Sequence, residues 1–550
     1  MKELLKRLFS RPFLAAEILV ATFFIALLNL ASPVFVINVL NRYITYGFDG
    51  TLITLTSGML IAVALQFGFR VSRTKMLGPI SAGPDMDMSH NILGVLTGAR
   101  IGAVNRFSNA RIQETVGGLQ AVQSAYDASS YTAFLDAPFS IIYVVATFFL
   151  SPILAFIALA GILVALAVGA VSLKLTRRTT ESLQKVATAH RGTIFSATQS
   201  GETVRVFKAK NFLSGIWKEH IGKMTFLRLK LADRKEQSQS ITQAANLLMS
   251  VALYTVGAVL VVRGSITVGA LIGANILASR SFQNVVKFVQ NGYQLHKAKE
   301  AEQQIREFAN LPLEPDSGTA LKQYQGGLTF KDVGFAYPGS AGPLFESLNL
   351  DLKPGSILVV IGKNGVGKTT LARLIVGLLF PPRGEILSDG ISLRQIAQGW
   401  WRNQICYFPQ EPTFINGTIR ENITMIRPDI EDAELNPVIK EADLRNYTDR
   451  TPRGLDAPIV EGGRHLSLGI RRRIALARSL VTKGMLVIFD EPTEGLDAEG
   501  CEAVYGILNN LTKEGRTIVA FSNDPRVIKG AHYILDLNEK PVPKILNNVP

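Results

Sequence analysis

Long apolar stretches dominate the first half of the chain. Before about residue 290, six of them reach or approach the roughly 20 residues that a helix needs to cross a bilayer. The shorter ones continue into longer patterns of helical period. The six segments are Ile18–Val36, Thr51–Phe69, Ala137–Leu150, Ile153–Leu173, Ile241–Val262 and Ile266–Ala278. We therefore predict an all-α membrane domain with six transmembrane helices.

Short apolar runs, typical of buried strands, replace these segments in the second half. One of them, Ser356–Ile361, is followed by a glycine-rich loop and by an apolar helix that begins at Thr370. Strand, loop and helix in this order are typical of an α/β P-loop domain. A short polar stretch with Pro312 and Pro315 separates the halves. We expect a transmembrane domain at residues 1–305, a linker at 306–327 and a nucleotide-binding domain at 328–550.

Basic residues are distributed unevenly around the six segments. Lysine and arginine cluster before the first segment and in the long loop after the fourth, whereas the short loops on the other side hold little beyond Arg42 and Arg263. The positive-inside rule then places both termini and the nucleotide-binding domain in the cytosol. This distribution accounts for much of the net charge of +14. We therefore expect no nucleic-acid partner.

The first residues, Met1–Phe13, place leucines opposite basic side chains at helical spacing. That pattern predicts an interfacial helix leading into the first segment. A cleaved signal peptide fits less well, because the apolar run is full length and five more follow. The two cysteines, Cys406 and Cys501, and the six scattered histidines indicate neither a disulfide framework nor a Cys- or His-based metal site.

The glycine-rich loop carries the chemistry of phosphate binding. Residues Gly362–Thr369 read GKNGVGKT, which matches G-x-x-x-x-G-K-[ST]. In such a loop, backbone N–H groups surround the β-phosphate, the lysine reaches the β- and γ-phosphates, and the last hydroxyl ligates Mg²⁺. Further along, Leu486–Asp490 is a buried-strand run that ends in Asp490 and Glu491. One acid suits a metal ligand and the next suits a general base.

Three further segments occur in a fixed order with these two. Tyr407–Glu411 lies between them, Leu466–Arg478 precedes the second, and Gly495–Asp497 follows it. Residues 325–540 thus resemble the ATP-binding-cassette family, with its Walker A, Q-loop, signature, Walker B and D-loop segments. The resemblance implies a type 1 exporter fold, ATP and Mg²⁺ as cofactors, and ATP hydrolysis coupled to transport.

The resemblance also implies roles for individual residues. Lys368, Gln410, Glu491 and Asn523 would be catalytic, with Glu491 as general base, and Tyr337 would stack on adenine. The metal and its waters would be held by Thr369, Gln410 and Asp490. The residues that would contact nucleotide are Tyr337, Gly362, Lys363, Asn364, Gly365, Val366, Gly367, Lys368, Thr369, Thr370, Ser467 and Gly469.

One nucleotide domain cannot close a site alone in this family, so a second half-transporter is expected as partner. Ser467 and Gly469 would then cap the ATP of the other subunit. Two departures from the family pattern bear on turnover. In this chain, Leu468 replaces the first glycine of the family's signature L-S-G-G-Q, and Ile470 replaces its glutamine. Asn523 stands where the family has its switch histidine. Two hypotheses stay open: a slow homodimer, or an ATP-binding regulatory subunit of a heterodimer.

The membrane half resembles type I secretion permeases, which move unfolded polypeptides through a channel across both membranes of Gram-negative bacteria. The segments that carry this resemblance are Leu28–Arg42, Phe134–Phe139 and Gly269–Arg280. Because the chain starts close to its first span, the resemblance is to members without an N-terminal peptidase-like domain. It implies a polypeptide cargo, a periplasmic adaptor, an outer-membrane channel and a location in the inner (plasma) membrane of a bacterium. A lipid or small-molecule exporter is the alternative.

Arg280 lies within the sixth apolar pattern, where a guanidinium is costly unless it has a partner. In one interpretation, Arg280 lines the substrate path and contacts an acidic or extended polypeptide. In the other, its aliphatic side chain snorkels, so that the guanidinium reaches the cytosolic interface. Two long polar loops are also predicted to extend the membrane helices into the cytosol. Their tips, at Arg100–Arg111 and Glu202–Lys208, resemble coupling helices, although plain solvated loops are the alternative.

Overall fold

The computed structural model describes residues 2–315, 317–340 and 342–547. Met1 of the predicted N-terminal helix and residues 548–550 of the predicted nucleotide-binding domain lie outside these ranges. The chain forms two compact units. A helical unit contains Met1–Thr97 and Asn105–Leu311, and an α/β unit contains Gly98–Val104 and Pro312–Pro550.

Twelve helices precede residue 310 in the described part of the chain. They are α1 (Lys2–Phe9), α2 (Pro12–Leu28), α3 (Ala31–Asn38), α4 (Ile44–Tyr46), α5 (Asp49–Gly98), α6 (Ile101–Val104), α7 (Asn109–Ala125), α8 (Ala128–Leu150), α9 (Pro152–Gln199), α10 (Gly201–Val206), α11 (Lys210–Val262) and α12 (Val268–Ala309). Side-chain caps start several of them: Ser108, Asp127 and Thr267 each accept the backbone N–H of the residue three positions later.

Five helical segments of the described chain are long and apolar enough to cross a membrane. They are Pro12–Tyr46, Asp49–Gly98, Ala128–Leu150, Pro152–Gln199 and Lys210–Val262. These contain the first five predicted segments. The sixth begins the 42-residue helix α12, which does not meet the same criterion. Asn275, Arg280 and Gln283 lower its mean hydropathy.

The first span is broken between α2 and α3. The carbonyl of Asn29 would normally accept the N–H of residue 33, but Pro33 has no N–H. The guanidinium of Arg280 donates to that carbonyl instead. Arg280 is half-buried, so its contact with Asn29 gives the cation a partner inside the helical unit. Whether it also lies on the substrate path stays a prediction.

The N-terminal helix α1 packs against the helical unit through its apolar face. Leu4 and Leu8 are fully buried. The basic face of this predicted interfacial helix is partly buried too. Arg7 is 3% exposed, its Nη1 lies 2.9 Å from Asp85 Oδ1, and its guanidinium covers the ring of Tyr126 at 4.3 Å. A paired and stacked guanidinium tolerates such burial. This helix is therefore anchored to the rest of the unit.

The two predicted loop tips differ in their surroundings. Helix α6, from the first tip, belongs to the α/β unit, where the N–H of Arg100 donates to the carbonyl of Pro312 at 2.9 Å and its guanidinium lies 5.6 Å from the ring of Phe380. Helix α10, from the second tip, exposes Val206 and Phe207 by 72% and 76%. The second tip thus presents an apolar surface within its own unit.

The α/β unit contains two larger sheets and one strand pair. The strands are β1 (Leu328–Phe335), β2 (Phe345–Leu352), β3 (Ile357–Ile361), β4 (Arg383–Ser388), β5 (Ile391–Ser392), β6 (Ile405–Phe408), β7 (Gly417–Thr418), β8 (Pro458–Ile459), β9 (Leu486–Asp490), β10 (Thr517–Phe521), β11 (Tyr533–Asp536) and β12 (Lys544–Asn547). The helices are α13 (Lys368–Ile375), α14 (Gln398–Asn403), α15 (Ile419–Thr424), α16 (Asp432–Glu441), α17 (Arg445–Arg450), α18 (Leu468–Leu480), α19 (Ala498–Lys513) and α20 (Pro525–Lys529).

The six-stranded sheet positions the candidate site. Its order is β12-β11-β3-β10-β9-β6, and the strands from β11 to β6 run parallel. Strands β9 and β10 are buried at every position, as expected for a parallel sheet covered on both faces. The carboxyl ends of β3, β9 and β10 therefore meet at one edge, where ligands bind in open α/β sheets. The antiparallel sheet has the order β2-β1-β4-β5.

Candidate nucleotide-binding site

The loop Gly362–Gly367 connects the buried strand β3 to helix α13. Gly365 and Gly367 have φ angles of +82° and +117°, which favour glycine. A Cβ at Gly367 would lie 2.6 Å from Leu344 Cδ2. Because α13 begins at Lys368, the unpaired N–H groups of its first turn adjoin the loop and create a site for an anion. The structure thus forms the predicted strand, loop and helix.

Lys368 and Glu491 are paired at this edge of the sheet. Lys368 Nζ lies 2.6 Å from Glu491 Oε1 and donates to the carbonyl of Gly362 at 2.7 Å. The two side chains are 8% and 14% exposed. Glu491 has a φ of +50°, a conformation that costs a non-glycine residue roughly 1–3 kcal/mol. This turn directs the chain sharply away from β9 directly after Asp490.

Asp490 is a carboxyl group in a buried position near Thr369 and Lys368. It is fully buried, and neither of its oxygens has a hydrogen-bond partner among the described residues. Burial raises the pKa of this carboxyl to about 6. The hydroxyl of Thr369 donates to Gln410 Oε1 at 3.4 Å. An unpaired buried carboxylate is costly unless a cation or donor completes the site.

Arg472 is a site residue that the sequence reading missed. Its Nη1 donates to the carbonyl of Glu491 at 3.2 Å and its Nη2 to the carbonyl of Gln410 at 3.3 Å. Arg472 is 4% exposed and lies on the buried face of α18. Its two hydrogen bonds therefore hold the segment around Gln410 in place relative to the end of β9. Gln410 also donates to Glu494 at 3.1 Å. The helical period of the sequence is the signal that could have identified Arg472, because position 472 lies on the same buried face of α18 as Leu476 and Ser479.

The remaining predicted contacts of the loop lie around its two ends. The hydroxyls of Tyr337 and Thr370 are 3.0 Å apart, and the Tyr337 ring, 42% exposed, meets the edge of Phe335. The N–H of Lys363 donates to Asn538 Oδ1 at 2.9 Å. Val366 packs against the core, whereas Asn364 is exposed. The Tyr337 ring thus has a free surface that an aromatic base can cover.

The signature segment lies at the start of α18. Ser467 is the N-cap of this helix and accepts the N–H of Ile470 at 3.3 Å. Gly469 has open space where a Cβ would be, and Leu468 is 43% exposed. Ile470 packs partly against the core. In the single chain, the described contacts of these residues therefore do not include the loop Gly362–Gly367.

Asn523 lies directly beside the phosphate-binding loop. Its side-chain oxygen accepts the N–H of Gly362 at 3.1 Å, and its amide nitrogen donates to the carbonyl of the same residue at 3.0 Å. That carbonyl also accepts Lys368 Nζ. Asn523 thus binds both the backbone N–H and the carbonyl of Gly362, and this carbonyl is also the acceptor for Lys368. The sequence predicted its proximity to the phosphates but not this paired contact.

Two family models match the chain. Residues 15–286 match the ABC transporter transmembrane region, and residues 345–494 match the ABC transporter family. Together these ranges cover about three quarters of the chain. The chain is an ABC transporter. The transporter accordingly binds ATP, couples its hydrolysis to transport, and is an integral membrane protein, which confirms these predictions.

Several curated relatives align with nearly the whole transporter. It is 26% identical over 530 residues to the type I secretion system ATP-binding protein PrsD of Rhizobium meliloti (strain 1021), covering 94% of this chain and 89% of that one. It is 25% identical over 534 residues to the leukotoxin export ATP-binding protein LtxB of Aggregatibacter actinomycetemcomitans, covering 95% and 74%. It is also 25% identical over 527 residues to the alpha-hemolysin translocation ATP-binding protein HlyB of Escherichia coli, covering 94% and 73%.

A solved structure has the same fold as the transporter. A bacterial Atm1-family ABC exporter with ATP bound superimposes with a TM-score of 0.84 at 19% identity, covering 96% of this chain and 94% of that one. The predicted type 1 exporter fold, a helical transmembrane domain followed by an α/β nucleotide-binding domain, is confirmed. Transporters of this construction work as dimers, as predicted.

Proposed function

We propose that the transporter exports a polypeptide from the cytosol as part of a type I secretion system. The observation that carries this proposal is the similarity to PrsD, LtxB and HlyB, which extends over the membrane half as well as the ATPase half. These relatives are named for type I secretion, leukotoxin export and alpha-hemolysin translocation. By the same reasoning, a periplasmic adaptor and an outer-membrane channel would be partners.

A cavity in the helical unit has a lining of mixed polarity that suits a polypeptide. It has a volume of about 400 Å³ and lies between α9, α11 and α12. Lys235, Gln239, Gln290, Asn291 and Gln294 contribute to its lining. Amide side chains can donate to and accept from the backbone of an extended peptide, and Leu173, Leu231, Val286 and Val289 of the same lining can pack against its apolar side chains. A lipid or small-molecule exporter remains the second candidate within this class.

We place the transporter in the bacterial inner membrane with both termini in the cytosol. The positive charges of the long loops carry this orientation. It puts the α/β unit where ATP is available. The domain limits 1–305, 306–327 and 328–550 remain our assignment of membrane domain, linker and nucleotide-binding domain.

The buried site fits a magnesium ion with its nucleotide. Mg²⁺ prefers hard oxygen ligands and retains several waters. Asp490, Thr369 and Gln410 offer oxygens of this kind, and the unpartnered carboxylate of Asp490 would gain the cation that its burial requires. When bound, the ion would neutralise charge on the phosphates. Gly362–Thr370 would hold those phosphates, Tyr337 would stack on adenine, and Glu491 would accept a proton from the attacking water.

A second subunit would complete the site. At the start of α18, Ser467 is exposed and Gly469 is partly exposed, and both would cap the ATP held by the partner. The exposed apolar tip formed by Val206 and Phe207 would dock on a nucleotide-binding domain. Because Lys368, Asp490 and Glu491 are all present, we favour a homodimer with its own hydrolysis. A heterodimer in which this chain mainly binds ATP is the alternative that Leu468, Ile470 and Asn523 favour.

The Asn523→His variant is expected to raise ATP turnover of the purified transporter about tenfold. An imidazole can carry a proton or a positive charge to the γ-phosphate, which an amide cannot, and general acid–base contributions of roughly 10²-fold leave room for this gain. Steady-state phosphate release measures it. Asn523→Ala is the control, because it also breaks the contact with Gly362 but adds no titratable group. Equal rates in the two variants would mean that residue 523 only positions the loop.

Secretion by the native bacterium tests the proposed function. Deletion of the gene should remove one or a few polypeptides from the culture medium, and the parental gene should restore them. A copy with Glu491→Gln should not, because export needs turnover. Unchanged secreted proteins together with an altered lipid composition of the outer membrane would establish the lipid alternative instead.

A further inference from the structure

A second, smaller cavity of the helical unit is unusually rich in charge. It has a volume of about 290 Å³ and is formed by α2, α5, α8 and α12. Three cationic side chains, from Arg70, Arg73 and Lys287, line it together with one carboxylate, that of Asp136. The cavity therefore carries an excess of positive charge.

The floor of this cavity contains an incompletely satisfied guanidinium. Arg73 is 4% exposed. Its Nη1 donates to Asp136 Oδ1 at 2.6 Å and to Thr22 Oγ1 at 3.4 Å, but its Nε is buried without a hydrogen-bond partner in the described chain. A buried donor of a charged group that lacks an acceptor costs more than an ordinary unmade hydrogen bond. Arg73 thus contributes to the cavity lining a guanidinium whose hydrogen bonds within the described chain are incomplete.

The other two cations are available at the sides of the cavity. Neither Arg70 nor Lys287 has a side-chain hydrogen bond or ion pair with any described residue, and both are exposed in the single chain. Arg70 directly follows the second apolar segment, and Asp136 directly precedes the third. The charges therefore lie at the ends of apolar segments, where a bilayer lowers the dielectric screening of unpaired cations.

The walls favour a small oxyanion on a polar chain. Asn29, Asn284 and Thr132 add neutral hydrogen-bonding groups to the lining. A carboxylate accepts several hydrogen bonds at once and pairs with arginine in a fork geometry. The polar lining also suits the peptide groups next to such a side chain. The lining also includes Ile25, Ala26, Phe139 and Tyr143, but polar side chains outnumber them, which favours a carboxylate with its neighbouring peptide groups over a lipid phosphate with its acyl chains.

We propose that this cavity binds a carboxylate side chain of the exported polypeptide, an Asp or Glu of an acidic segment. Arg70 and Lys287 attract the carboxylate, and Arg73 holds it. Asp136 positions Arg73 and limits the affinity, so that the cargo is released again. The proposal rests on polypeptide export as the proposed function and specifies the chemical class of cargo that this site selects.

The test is peptide binding to the full-length transporter in nanodiscs of phosphatidylcholine, without ATP. The probes are two fluorescent 20-residue peptides, one alternating Glu and Gly and the other alternating Gln and Gly. The parental protein should bind the Glu peptide at least about tenfold more tightly, as one charge-assisted contact of about 1.4 kcal/mol gives. The double variant with Arg70→Gln and Lys287→Gln should lose that preference.

Two further variants separate charge selection from damage to the fold. Asp136→Asn keeps the shape of the side chain but removes the only carboxylate among the described lining residues of the cavity. It should therefore tighten binding of the Glu peptide severalfold. Misfolding cannot produce such a gain. The matched control replaces two exposed cations of α9 outside the cavity, Arg177→Gln with Lys185→Gln. It should bind like the parental protein.

The outcomes distinguish this site from the function on which it rests. Equal binding of both peptides by the parental protein and the double variant would overturn the anion site and leave polypeptide export intact. Binding of neither peptide, with thermal stabilisation by phosphatidylglycerol nanodiscs that the double variant loses, would overturn the cargo assignment in favour of a lipid headgroup. The secretion experiment above would then decide separately whether a polypeptide is exported.

Discussion

The Glu491→Gln variant is expected to hydrolyse ATP roughly 10²- to 10⁴-fold more slowly than the parental transporter, because it keeps the shape of the side chain but loses the proton acceptor. It should also bind ATP more tightly. Glu491 Oε1 lies 2.6 Å from Lys368 Nζ, so ATP must displace this carboxylate to reach the ammonium group. Removing the charge removes that competition, and we expect the variant to accumulate as a closed dimer with ATP.

Phosphate release and equilibrium binding of a fluorescent ATP analogue measure the two effects. Glu499→Gln is the control, since it removes an exposed carboxylate from the first turn of α19. Parental turnover in the Glu491→Gln variant would refute its role as general base. Slow turnover without tighter binding would mean that the ion pair with Lys368 does not compete with nucleotide.

The Lys368→Ala variant is expected to bind ATP roughly 10- to 100-fold more weakly. The substitution removes a charge-assisted contact to the phosphates of about 1.5–3 kcal/mol. It also leaves Glu491 without its partner near an anionic ligand. Equilibrium binding of ATP with and without Mg²⁺ measures the loss. Hydrolysis should fall with it, since the same ammonium group stabilises the charge of the transition state.

A double-variant cycle tests whether the two residues act as a pair. Adding Glu491→Gln to Lys368→Ala should recover part of the lost ATP affinity, because the uncompensated carboxylate is then gone. Lys353→Ala removes an exposed lysine from the turn before β3 and should leave affinity unchanged. Strictly additive effects would show that Glu491 does not face the phosphates.

The sequence was informative wherever chemistry fixes residue types at short spacing. The loop Gly362–Thr369 and the strand that ends in Asp490 lie where the pattern placed them, because each combines local geometry with an obligatory ligand type. Apolar length likewise predicted the long helices. Hydropathy alone was less informative for the sixth predicted span. The guanidinium of Arg280 and nearby amide side chains lower the mean hydropathy of α12 below that of the other five spans.

Contacts between distant segments could not be predicted from a single sequence. Asn523 is a plain departure from the family pattern in the sequence, whereas the structure gives it two hydrogen bonds to Gly362. Arg472 appeared as one arginine among three, and only its buried position on α18 distinguishes it. The pair of Lys368 with Glu491 joins residues more than a hundred positions apart. Such contacts depend on sheet order, which the strand patterns leave open.

The break in the first span ties together two positions that lie far apart along the chain. Pro33 removes the donor that the carbonyl of Asn29 needs, and Arg280 supplies it from α12. Replacing Arg280 alone therefore leaves the carbonyl of Asn29 without this donor, whereas a further change of Pro33 to a residue with its own N–H can supply a donor from within the first span.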